Sequence, residues 1–89
     1  MKAVVTVVGK DQVGIIAHVC VRLAQYNVNV LDISQTVMQG YFTMMMAVDT
    51  SKSDIPFAEL AKKLDAKGEE MGLSIRLQRE DIFEAMHRV

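Results

Sequence analysis

Apolar and polar positions along the chain change period several times, and each change marks an element. Lys2 to Val8 is a Val-rich, β-branched run with the composition of a strand. Gly9-Lys10-Asp11-Gln12-Val13-Gly14 interrupts it as a tight loop. From Ile15 to Tyr26 the period becomes helical: Ile16, Val19, Cys20, Leu23 and Ala24 form one stripe, with Arg22 and Gln25 on the other side. Asp11 is the expected N-cap, accepting the N–H of Gly14 three residues on. The helix is expected to end near Tyr26-Asn27, because Asn tolerates the left-handed conformation.

Val28 to Met38 and Tyr41 to Asp49 read as two strands joined by a hairpin turn at Gln39-Gly40. Val28 and Val30 share a face, but Ile33 and Val37 have the opposite parity, so a bulge is expected near Asp32. In the third strand Phe42, Met44, Met46 and Val48 point one way and Tyr41, Thr43, Met45 and Ala47 the other. Both sets are largely apolar, which predicts a central strand buried on two sides. Thr50 to Asp54 is a polar loop. Pro56 suits the first turn of a second helix capped by Ser53 or Asp54. Phe57, Leu60, Ala61, Leu64 and Met71 mark its buried face and Gly72 its end. Leu73, Ile75 and Leu77 alternate with Ser74, Arg76 and Gln78 as a fourth strand. Glu80 to Arg88 predicts a short terminal helix with an Ile82, Phe83, Met86 patch.

The order is strand-helix-strand-strand-helix-strand with a helical tail at about 80–88, an α+β domain over residues 1–89. Two right-handed crossovers place both long helices on one face of a four-stranded antiparallel sheet. The strand order that follows is 4-1-3-2, with strands two and four as edges.

Composition narrows the function. Eighty-nine residues hold one core. A net charge of −1, without a basic block, argues against nucleic acid or an anionic membrane as partner. No apolar stretch approaches the roughly 20 residues of a membrane span. Cys20 has no second cysteine to pair with, and no leader precedes the first strand, so a cytoplasmic setting is expected. Apolar residues at 51% leave some apolar surface for a second copy to cover.

Catalysis finds little support. His18 with Asp11 does not complete a catalytic or metal set, Gly9-x4-Gly14 lacks the Lys and Ser/Thr of a phosphate loop, and strand one has no aromatic to stack on RNA. No cofactor, metal or enzymatic activity is expected. What remains is the loop at a helix N-terminus, whose backbone N–H groups suit an anion. With Asn29 and Asp32 at the start of strand two, it would suit a zwitterion: carboxylate on N–H groups, ammonium on side-chain oxygens. The candidate ligand-binding residues are Gly9, Lys10, Asp11, Gln12, Val13, Gly14, Asn29 and Asp32.

Gly-Lys-Asp-Gln-Val-Gly-Ile-Ile, then Leu-Ala-Gln-Tyr-Asn-Val-Asn-Val and Asp-Ile-Ser-Gln-Thr, resembles the ACT domain, a ligand-sensing module attached to many enzymes of amino-acid metabolism. The tail Ile82-Phe83-Glu84-Ala85-Met86 is similar to that of stand-alone bacterial and archaeal ACT proteins, themselves similar to the regulator of the glycine cleavage system. The resemblance implies a ferredoxin-like fold, a homodimer or higher homo-oligomer, and a small amino acid bound where the first loop of one subunit meets the start of strand two of its neighbour. Asp11, Gly14 and Asn29 are the matching positions. A regulated protein partner is implied as well. Two departures stand out: Gly9 occupies a position where serine-binding members place a polar ring, and Asp11 one where they place an amide. The alternative is a ligand-free interaction or oligomerisation module, motivated by the doubly apolar third strand and the tail patch.

Overall fold

A computed structural model describes residues 1–81. The elements are β1 (Lys2–Lys10), α1 (Ile15–Gln25), β2 (Asn29–Met38), β3 (Tyr41–Asp49), α2 (Phe57–Met71) and β4 (Ser74–Arg79). The four strands form one antiparallel sheet in the order β2-β3-β1-β4, the predicted order seen from the other edge. This is the ferredoxin-like βαββαβ arrangement.

Register follows from the turns. Gln39 and Gly40, with φ of 52° and 82°, make the tight connection between β2 and β3, so Met38 faces Tyr41. The pairing slips one residue between Val30 and Asp32, leaving Leu31 as the bulge. The slip returns Ile33, Gln35 and Val37 to the side of the sheet where Met46, Met44 and Phe42 stand. β1 runs two residues past its predicted end because Gly9 and Lys10 still pair with Phe42 and Tyr41.

The core lies between the sheet and the two helices. Val5, Val7, Met44, Met46 and Val48 meet Val19 and Leu23 of α1 and Leu60 and Leu64 of α2, all out of water. Full burial of each leucine stabilises the fold by about 1.5–3 kcal/mol. The buried line of α1 is Ile15, Val19 and Leu23; Ile16 and Cys20 flank it, and Ala24 is exposed. The predicted stripe is thus rotated toward Ile15, which starts the helix. On α2, Leu60 and Leu64 are buried as expected, Phe57 and Met71 only partly, and Gly68 completes the line.

Two predicted caps are absent. α2 begins after Pro56 with no side-chain cap; the Ser53 hydroxyl instead bonds the backbone of Ile55, accepting its N–H at 3.3 Å and donating to its carbonyl at 2.9 Å. Both helices do end as expected, at Asn27 with φ of 61° and Gly72 with φ of 73°.

β3 is central but not buried on two sides. Its second face leaves Tyr41 56% and Met45 36% exposed, because both helices pack on the other side. The predicted terminal helix begins at Glu80-Asp81, and its Ile82, Phe83, Met86 patch lies outside the described residues.

Candidate functional site

The loop between β1 and α1 is held at two points, and the end of β1 that leads into it at a third. Asp11 N–H donates to the Gly40 carbonyl at 2.8 Å, fastening the loop to the β2–β3 turn. Gln12 Nε2 donates to the Met71 carbonyl at 3.0 Å, at the last turn of α2. Gly9 lies flat on Leu73, and a Cβ there would collide with Leu73 Cδ2. Only Val13 stands clear, at 99% exposure.

Gly14 turns the chain into α1 with φ of 84°, a value that costs an L side chain about 1–2 kcal/mol. Its carbonyl accepts the His18 N–H at 2.9 Å. The His18 ring leans over it, so a Cβ at Gly14 would stand 3.3 Å from His18 Cδ2. Gly14 is itself the N-cap, and no side chain caps the helix. The predicted capping role of Asp11 is therefore corrected. The helix starts at Ile15, too late for Gly14 to be the third N–H of a turn capped by Asp11.

With no cap and no acidic residue in its first turn, α1 presents the positive end of its dipole. A cavity of about 280 Å³ opens there, lined by Asp11, Gln12 and Gly14 from the loop, Ile15 to Ala17 from α1, Gln35 and Val37 from β2, and Phe42. Gln35 and Val37 are not among the residues that the sequence nominates on strand two, which are Asn29 and Asp32. Carrying parity through the bulge at Leu31 would have found them.

Other predicted site residues lie elsewhere. Lys10 pairs with Tyr41 and shares its face, away from the helices. Asn29 is at the far end of β2, paired with Asp49, nine residues or about 30 Å of strand from Met38. It lines a second cavity, of about 440 Å³, with Asn27, Asp49, Ser51 and Lys52 among others. Asp32 faces the helix-free side of the sheet, opposite Ala47. Within one chain, then, the structure does not bring Asn29 and Asp32 to the loop.

Near Asn29, the Ser51 N–H donates to Asp49 Oδ1 at 2.9 Å, and the terminal ammonium of Met1 lies 3.5 Å from the same oxygen. Hydrogen bonding from Ser51 first, then the ammonium charge, holds the Asp49 carboxyl below its usual range. Among the described residues no group of three His, Cys, Asp or Glu could hold a metal ion, and no helix is long and apolar enough to cross a membrane.

The family model described as the ACT domain matches residues 2–78. A UPF0237 protein of Bifidobacterium longum is 56% identical over 88 residues, covering 99% of this chain and 98% of the relative. An ACT domain protein from Streptococcus pneumoniae superposes with a TM-score of 0.82 at 44% identity, covering 98% of each chain. A candidate glycine cleavage system transcriptional repressor, at 22% identity and a TM-score of 0.74, shares the fold over 86% of this chain and 44% of its own. With its sheet order, loop and helices in place and these matches along its length, the chain belongs to the ACT domain family.

Proposed function

We infer that this protein is a small regulatory module that binds an amino acid between two copies of itself and modulates a partner in amino-acid metabolism. The observation that carries this reading is the pinned loop: it sets an uncapped helix N-terminus at the mouth of a cavity whose outer wall is the edge strand β2. Every residue of β2 but Val30 is exposed, with Leu31, Ile33, Val37 and Met38 prominent. An unprotected edge of this kind pairs readily with another strand.

Two-fold antiparallel pairing of β2 with its mate would reverse the strand, setting Asn29 of one copy beside the loop of the other. The ligand carboxylate would sit on the N–H groups of α1, and its ammonium on Asn29. Asp11 at the rim disfavours ligands with an acidic side chain. The reading is of a binding module in a cytoplasmic setting, and no catalytic set is assigned. The structural likeness to a candidate transcriptional repressor is in keeping with regulation.

A second reading, a ligand-free interaction module, draws on the same exposed edge. Thermal unfolding with each of the twenty amino acids separates the two. A ligand at about 100 times its dissociation constant adds about 2.7 kcal/mol, a shift on the order of 10 °C for a domain this small. Gly14→Leu, folded but with its first loop blocked, should lose that shift. A full shift in Gly14→Leu would remove the site from the loop; no shift in the natural chain with any amino acid would favour the ligand-free module.

A further inference from the structure

The sheet has a second edge, at β4. This strand pairs on one side only, with β1, so alternate backbone N–H and C=O groups along residues 74–77 face outward and meet no strand among the described residues. A cavity of about 400 Å³ opens on that side, lined by residues 75–78 of β4 and by Ala61, Lys62 and Asp65 of α2. Consecutive strand residues alternate between the two faces of a sheet. A hollow that touches four in a row therefore looks onto the strand's edge, with α2 as its wall on the helix side.

The charges around this edge suit an acidic guest. Ile75 is buried toward the helices, so Arg76 projects from the helix-free face, where it is exposed opposite Thr6 of β1. Lys62 is exposed on α2, which sets a cation on each side of the groove. Asp65 is the acidic residue of the lining. Among the described residues Lys62, Asp65 and Arg76 form no ion pair, whereas Arg79 is held by Asp81 at 2.9 Å. A second copy fits the edge less well. Its own β4 would bring two arginines and no acid to the seam, setting like charges across it. Its β2 offers a single acid, Asp32, among ten residues.

We propose that the β4 edge is a docking site for an extended acidic segment of a partner protein, which adds to the sheet as a fifth strand. Such a strand lies about 4.8 Å outside β4 and runs about 20 Å along it. Its side chains alternate. Acidic ones fall on the helix-free face beside Arg76, and small neutral ones turn inward toward Ala61, where Asp65 disfavours a second acid. β2 is the opposite edge of the sheet, so the site stands whether or not two copies pair or an amino acid binds.

The test uses the full chain and two end-blocked hexapeptides, one alternating glutamate with valine and one alternating lysine with valine. With the glutamate peptide at about ten times its Kd, outward N–H groups of β4 should exchange with solvent about tenfold more slowly by amide NMR, with β2 unchanged. Arg76→Glu, a substitution at an exposed position, should weaken that peptide about tenfold and turn the preference toward the lysine peptide. Equal binding of the two peptides, protection at β2 in place of β4, an indifferent Arg76→Glu, or no binding at millimolar peptide would each overturn the proposal. Protection of β4 that needs no peptide and grows with protein concentration would assign the edge to a second copy and overturn it as well.

Discussion

Gly68→Ala sets two effects of opposite sign against each other. Replacing glycine by alanine inside a helix ordinarily stabilises it, by up to about 1 kcal/mol. Gly68, however, is the point where α2 touches the chain entering β4. A Cβ there would stand 2.7 Å from the Leu73 carbonyl oxygen, 3.1 Å from Ile75 Cγ1 and 3.2 Å from Ile75 N. Two of these are backbone atoms, which cannot swing away as a side chain can. Relief requires α2 to lift by about 0.7 Å, from 2.7 Å to the 3.4 Å of ordinary contact. The bond from Leu73 N–H to the Gly68 carbonyl, at 2.7 Å, would be strained with it. Overpacking of this kind costs about 1–3 kcal/mol. Less the full propensity gain, the variant should be destabilised by up to about 2 kcal/mol, lowering the midpoint by up to roughly 15 °C. Paired urea titrations and thermal scans of the two proteins measure it. A variant as stable as the natural chain, or more so, would show that propensity wins and the close approach is relieved at no cost.

Two further outcomes are expected. Asp49 has a depressed folded-state pKa, so its contribution is present above the unfolded carboxylate value of about 3.9 and is lost as pH falls through the lower folded one. Asp49→Asn should therefore trail the natural chain in denaturant midpoint at pH 7 and converge with it toward pH 3; a gap constant with pH would contradict this. Ile33→Lys places a charge on the open edge of β2 and should weaken the pairing of copies inferred above, as read by sedimentation velocity. An unaltered sedimentation distribution would move the contact off this edge.

The architecture was legible because its signals are local and agree with one another. Alternation in Phe42 to Val48, the Gln39-Gly40 turn, the parity change around Asp32 and the helix stops at Asn27 and Gly72 each specify one piece. The caps were less legible. A carboxylate or hydroxyl a few residues upstream is compatible with a cap, but whether it acts depends on where the backbone commits its N–H groups. Asp11 commits its own to Gly40, and Ser53 turns to Ile55. The two apolar faces of β3 mislead, because burial on the second face depends on what packs there and the helices fill only one layer. For the candidate site, the loop was evident from its glycines. Its anchors at Gly40, Met71 and Leu73 were not, since each is a contact between residues distant in sequence.

The strand order has a consequence for biosynthesis. β1 is made before the other described elements and is flanked on both sides, by β3 from residue 41 and by β4 from residue 74. At roughly 5–20 residues per second, the interval between the end of β1 and the end of β4 is roughly 4–14 s. Through that time the run Ala3 to Val8 has at most one of its two neighbours. Segments with unpaired edges and exposed apolar side chains are the ones that associate wrongly while a chain is incomplete. The domain therefore completes its sheet only once β4 has emerged, and β1, the earliest of its four strands, is among the last to be enclosed.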